Sequence, residues 1–146
     1  PAKQAYMLKD MQDWARLAGV RIKMPPSVFP VNAVKSMRGC IWVQRHHPDK
    51  LVPFATAVFE AYWGEDQDIS QDEVLTRVCA RVGLDAAALF AGIGEQAIKD
   101  ALKANTDEAI ARGVFGSPTI FLDGTDMYFG NDRLPLIRDR LLKARA

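Results

Sequence analysis

The residues best placed to do chemistry lie in one stretch, Phe115-Gly116-Ser117-Pro118-Thr119 followed by Phe129-Gly130-Asn131-Asp132-Arg133-Leu134. Proline cannot donate a ladder hydrogen bond, so Ser117-Pro118 ahead of Thr119-Ile-Phe-Leu122 marks a strand's first position or an edge. A cis bond there would turn the Ser117 N–H and C=O outward, free for a ligand. Gly130-Asn131-Asp132-Arg133 precedes an apolar helical stripe. With Asp132 as N-cap, Pro135 falls at N3, where its missing N–H removes only an orphaned donor. Taken alone, serine before proline is a common turn, and Asn131-Asp132 is a helix cap.

Other polar residues carry two readings each. Lys3 is a solvated helix-start lysine, although a cation is slightly unfavourable at that end. Asn32 is an N-cap first and a polar contact for substrate second. Arg38, about two turns into the helix that Asn32 opens, can answer a carboxylate or pair with a surface acid. Trp63-Gly64 is a helix-end packing unit, or the lining of a pocket for an aromatic molecule. His46-His47 does not suit a metal, because neighbouring helical residues point about 100° apart and no i, i+4 partner or cysteine pair is present. The chain has no Walker loop, no Gly-x-Gly-x-x-Gly and no Gly-x-Ser-x-Gly elbow, and Gly92-Ile-Gly94 is a helix junction.

The elements that must position these residues are mostly helical. Met7, Met11, Trp14 and Ala18 recur at helical spacing up to Gly19. Pro25, Pro26 and Pro30 keep the following segment extended. A helix then carries Val34, Met37 and Cys40 or Ile41 inward, and Asp49 caps the next, which packs through Phe54, Val58, Phe59 and Tyr62 and stops at Gly64. Ser70-Gln-Asp-Glu73 reads as a capping box ahead of Val74, Leu75, Val78 and Val82. Asp85 opens a short helix to Gly92, and a longer one runs from about 95 to 112, interrupted near Asn105-Thr106. Thr119–Leu122 and Met127–Phe129 then pair across Asp123-Gly124-Thr125-Asp126. The last helix carries Leu134, Ile137, Leu141 and Leu142 on one stripe. Two strands alone are marginal in water, so Ile120 and Leu122 need further covering.

The two C-terminal motifs together closely resemble the signature of 2-hydroxychromene-2-carboxylate isomerases, which sit with kappa-class glutathione transferases in the DsbA-like branch of the thioredoxin superfamily. Upstream segments agree in order: Pro1-Ala2-Lys3 with Tyr6-Met7 and Asp10, Phe29-Pro30-Val31-Asn32 with Arg38, and Phe59 to Trp63-Gly64. The resemblance implies an α/β thioredoxin-like fold with a large all-helical insertion, here a helical domain at 1–112 and a C-terminal hairpin and helix at 113–146. It implies glutathione as cofactor and a small aromatic carboxylate as substrate. It places the cysteinyl part of glutathione against Ser117 and a cis Pro118. Asn131 and Asp132 take the γ-glutamyl end, with the carboxylate pairing the ammonium and the helix-start N–H groups holding the α-carboxylate. Lys3 takes a carboxylate of glutathione or substrate, while Asn32, Arg38 and Trp63 face the substrate. Family members are often dimers, so a homodimer is implied.

The family's serine facing the glutathione sulfur lies in an early βαβ unit to which nothing here corresponds. The chain is read as a fragment, and its catalytic residue is unassigned. Two other readings stay open: a DsbA-like thiol–disulfide oxidoreductase, which needs a Cys-x-x-Cys upstream, and a non-catalytic helical module.

Composition limits the alternatives. At 146 residues the chain is near the usual size of one domain. With 49% hydrophobic and 25% charged residues it is expected to fold. A net charge of +1 argues against a nucleic-acid surface, and the basic run from Arg138 to Arg145 is broken by acidic and apolar positions. No apolar run approaches the length of a membrane span. Cys40 and Cys79 lie in no Cys-x-x-Cys and read as small hydrophobes in a reduced, cytoplasmic setting.

Overall fold

The computed structural model describes residues 2–144; Pro1 and Arg145, both used in the sequence reading, lie outside them. The chain forms two compact units, Pro1–Lys103 and Ala104–Ala146.

In the first unit, α1 (Ala2–Ala18) is followed by a proline-rich loop and then α2 (Val34–His46), α3 (Leu51–Phe59), α4 (Asp72–Arg81) and α5 (Ala86–Ile93). α2 packs on α3 and α5, and α4 packs on the same two helices. Phe54, Leu75 and Leu89 are fully buried between them, each contributing about 1.5–3 kcal/mol of burial. Close approach is bought by glycine. An added Cβ at Gly39 would lie 3.0 Å from Phe54, and one at Gly92 would lie 2.0 Å from Trp42 Nε1.

Several helix faces are rotated from the sequence expectation. α2 buries Ser36, Gly39, Ile41, Trp42 and Val43 and leaves Met37 exposed. The absent side chain at Gly39 lets Phe54 of α3 and Leu89 of α5 come close, and that contact selects the face. α1 buries Ala15 and leaves Met7, Trp14 and Leu17 open. Phe59 is likewise exposed, because the chain leaves α3 through a wider, π-helical turn at Glu60–Gly64 that buries Ala61 and Tyr62 instead.

The caps also differ in detail. Asp85 accepts the Ala87 N–H at 2.8 Å, as its sequence position predicts. The capping box does not form: Gln71 holds the cap position without a side-chain bond. Asp68 accepts instead from the Ser70 N–H at 3.0 Å and from Gln71 Nε2 at 2.9 Å. Asp49 lies within a 3-10 turn at Pro48–Lys50 ahead of α3.

α6 (Gln96–Ala111) runs without the interruption expected near Asn105. In the second unit β1 (Thr119–Leu122) and β2 (Asp126–Phe129) pair antiparallel, with Thr119 opposite Phe129 and Leu122 opposite Asp126. A 3-10 turn at Asn131–Arg133 leads into α7 (Leu134–Lys143). Of the expected α7 stripe, Ile137 is buried, while Leu134, Leu141 and Leu142 are about half exposed.

Candidate functional site

The candidate site is built from the loop before β1 and the turn after β2. Because Thr119 pairs with Phe129, the residues just outside the ladder meet there: Ser117-Pro118 on one side, Gly130-Asn131-Asp132 on the other. The Gly130 N–H donates to the Pro118 C=O at 3.0 Å, one step beyond the last rung. The Ser117–Pro118 bond is cis, as are Met24–Pro25 and Phe29–Pro30. Thr119 Oγ1 donates to the Gly116 C=O at 2.6 Å and sets the direction of the chain entering Ser117. Ser117 itself is exposed. Among the described residues neither its N–H nor its C=O has a hydrogen-bond partner.

The second half of the site depends on Gly130. Its φ of 105° is a value side-chain-bearing residues rarely adopt, and an added Cβ would lie 2.5 Å from Asp132 Oδ1. The Asp132 carboxylate therefore folds back over the glycine. Asp132 is not the helix cap expected from sequence: it lies in the 3-10 turn, and no side chain caps either that turn or α7. The N–H groups of Asn131 and Asp132 are consequently without acceptors among the described residues. Uncapped donors at a helix start favour an anion. The carboxylate of Asp132 pairs with Arg133 at 2.8 Å, both about half exposed. Such a pair is worth about 0–1 kcal/mol and is readily exchanged for a ligand cation.

Two arginines hold the hairpin that carries this loop pair. Arg112, just past α6, stacks 3.5 Å over Phe121. It also pairs with Glu108 at 3.0 Å and donates to the Gly124 C=O at 2.8 Å. Arg140 of α7 meets Asp126 at 2.5 Å and Asp123 at 3.4 Å. A cavity of about 330 Å³ opens beside Ser117, lined by Asn105, Glu108, Arg112, Thr119 and Phe121 among others.

The remaining sequence-selected residues belong to the first unit. Lys3 is exposed in the first turn of α1. Asn32 Oδ1 accepts the Val34 N–H at 3.1 Å, although Ala33 holds the formal cap position. Arg38 is half-buried, and its Nε is buried without a partner. The Trp63 ring lies edge-on to Tyr62 at 4.6 Å, and its C=O accepts the Lys23 N–H at 2.6 Å. Among the described residues no hydrogen bond or ring contact joins Lys3, Asn32, Arg38 and Trp63 to one another.

Sequence reasoning missed Asp66, which pins the proline-rich loop. It accepts from the Ser27 N–H at 2.7 Å, from Ser27 Oγ at 2.5 Å, and from Lys23 Nζ. These donors hold its carboxyl at about 2. In sequence Asp66 sits in Glu-Asp-Gln-Asp, 39 residues from Ser27, and looks like part of a solvated acidic turn. Cys40 and Cys79 are free thiols, and burial pushes the pKa of each up. Among the described residues no helix is long and apolar enough to cross a membrane.

Residues 1–142 match the family of the DSBA-like thioredoxin domain. A 2-hydroxychromene-2-carboxylate isomerase from Sphingobium xenophagum is 33% identical over 96% of this chain and 69% of its own length. Glutathione S-transferase kappa 1 from Rattus norvegicus is 28% identical over 94% of this chain and 65% of its own. A solved structure of 2-hydroxychromene-2-carboxylate isomerase superposes with a TM-score of 0.85 at 28% identity, covering 98% of this chain and 68% of that one. The chain thus spans about two thirds of the length of each relative. A helix-rich chain with a hairpin that opens at a cis-proline fits that comparison, and the chain belongs to the DSBA-like thioredoxin domain family, with 2-hydroxychromene-2-carboxylate isomerases and kappa glutathione transferases as its relatives.

Proposed function

We propose that this protein is a glutathione-dependent isomerase acting on a 2-hydroxychromene-2-carboxylate-like intermediate of aromatic-compound degradation. The observation that carries the reading is the cluster of unpartnered main-chain groups, Ser117 N–H and C=O with the N–H groups of Asn131 and Asp132, next to an exposed carboxylate. A γ-glutamyl thiol peptide has the complementary set: an amide to bond Ser117 in both directions, an α-carboxylate for the free N–H groups, and an ammonium for Asp132. The cavity of about 330 Å³ leaves open space next to Ser117.

When bound, glutathione would supply the thiolate that adds reversibly to the conjugated substrate, so that a double bond becomes free to rotate. The protein's part is to bind and orient. Ser117 and Pro118 hold the cysteinyl segment, and Asn131 and Asp132 hold the γ-glutamyl end. Lys3 offers a cation to a carboxylate. Asn32, Arg38 and Trp63 act on the aromatic carboxylate substrate, with Arg38, whose Nε has no partner among the described residues, as the cation for its carboxylate. The helical domain at 1–112 offers residues to the substrate, and the part at 113–146 carries the seat for glutathione. A cytoplasmic homodimer completes the proposal; the two free cysteines agree with a reducing compartment.

The family match also brings a thiol–disulfide oxidoreductase into view. Cys40 and Cys79 do not favour it, since burial raises both thiol pKa values and a reactive cysteine needs the reverse. The deciding assay follows the absorbance of 2-hydroxychromene-2-carboxylate during isomerisation, with and without glutathione. Acceleration only in its presence is expected; equal rates with and without it, or none with either, would refute the proposal.

A further inference from the structure

Phe115 and Phe129 form an exposed aromatic pair at the centre of the loop pair. Their ring centroids are 4.7 Å apart at an interplanar angle of 53°. Phe115 is 69% exposed and Phe129 41%, so a ring face is available beside the unpartnered main-chain groups of Ser117, Asn131 and Asp132. The pair is held in place rather than free to wander. An added Cβ at Gly116 would lie 2.7 Å from the Phe129 ring, so the ring occupies the space a side chain would need there. Gly116 directly precedes Ser117, and Gly130-Asn131-Asp132 directly follows Phe129. The rings therefore adjoin both sets of unpartnered main-chain groups.

Two large apolar rings left in water beside unused polar groups are a recognisable binding design. The polar groups orient a ligand, and the rings supply apolar contact. Tilted aromatic pairs take a further planar ring by offset or edge-on stacking, preferring one whose substituents withdraw electrons. We infer that Phe115 and Phe129 form a subsite for the aromatic ring of the electrophilic substrate. The inference rests on the proposed function, in which the sulfur is held at Ser117, one residue from Gly116. A reacting carbon bonded to that sulfur brings its ring to the Phe115–Phe129 pair. This makes the two phenylalanines residues that determine specificity, choosing aromatic over aliphatic acceptors.

The test compares the unaltered protein with Phe115→Ala and Phe129→Leu. The second variant keeps apolar bulk over Gly116 in case truncation at 115 disturbs folding. The dissociation constant of 2-naphthoate is measured by saturation-transfer NMR without glutathione, alongside cyclohexanecarboxylate, and that of glutathione by calorimetry. Naphthoate binding is expected to weaken about five- to tenfold in each variant, with glutathione affinity kept within about twofold and cyclohexanecarboxylate weak throughout. Unchanged naphthoate affinity in both variants overturns the inference. So does a parallel loss of glutathione affinity, which would make the rings a support for the thiol's own seat. A protein that never binds glutathione defeats the proposed function instead, and the naphthoate comparison still decides this subsite.

Discussion

Single residues decide how closely this chain packs, and Gly92 is the sharpest case. The Trp42 indole occupies the space of its absent side chain, with Nε1 2.0 Å from where a Cβ would stand. Gly92→Ala must expel the indole from between α2 and α5, at a cost of about 1–3 kcal/mol. A lowered melting temperature with altered tryptophan emission is the expected result; an unchanged melting temperature would contradict the packing described. Asp66 sets the acid response of the proline-rich loop. Its folded pKa of about 2 lies below the ordinary value of 3.8 because Lys23 and Ser27 donate to the carboxylate. The clamp's contribution is therefore complete above the ordinary value and is lost as pH falls through about 2. Asp66→Asn should flatten the fall in melting temperature across that acid window. Identical slopes in the two proteins would count against the clamp.

At the scale of elements, the hairpin is the part least able to stand alone. Two strands are marginal without support, and Ile137 is the one buried hydrophobic residue beyond 103 among those described. Arg112 supplies much of what is lacking by gripping Phe121, Glu108 and Gly124 together. Summing a cation–π contact, an exposed ion pair and a hydrogen bond gives about 1–3 kcal/mol for opening the hairpin. Arg112→Ala should speed amide exchange at Ile120 and Leu122 while leaving Val43 and Leu75 unaffected. Exchange rates unaltered at Ile120 and Leu122 would show that the latch does not hold the strands. The hairpin itself was legible because proline, alternating apolar residues and Asp-Gly leave few other conformations. Helix existence was equally legible from glycine stops and apolar spacing. The inward faces of α1 and α2 were not, since Ser36 and Gly39 are chosen by which neighbours come close, and periodicity alone does not report that. The capping box failed for a related reason: Asp68, outside the motif, takes the Ser70 N–H that Glu73 would have accepted.

Over the whole molecule, the polar loop pair was readable from two motifs, one beginning at Phe115 and the other at Phe129, joined by the register that sets Thr119 against Phe129. What sequence did not show was how the turn after β2 is finished. A cap at Asp132 would have taken the Leu134 N–H; in the observed 3-10 turn that N–H donates to the Asn131 C=O, the N–H groups of Asn131 and Asp132 have no acceptor among the described residues, and the Asp132 carboxylate folds over Gly130. The buried Arg38 Nε, without a partner among the described residues, and the arginine latch of Arg112 are also products of tertiary structure, visible only once helices and strands are placed. The loop pair is proposed to receive a γ-glutamyl thiol peptide. Calorimetric titration of the protein with glutathione and with cysteinylglycine, which lacks the γ-glutamyl arm, addresses it directly. One-to-one binding of glutathione is predicted, weakened about tenfold or more for cysteinylglycine and for Asp132→Asn, as expected for lost charge-assisted hydrogen bonds. A protein with an intact circular-dichroism spectrum that takes up no glutathione, or binds both peptides equally well, would contradict it.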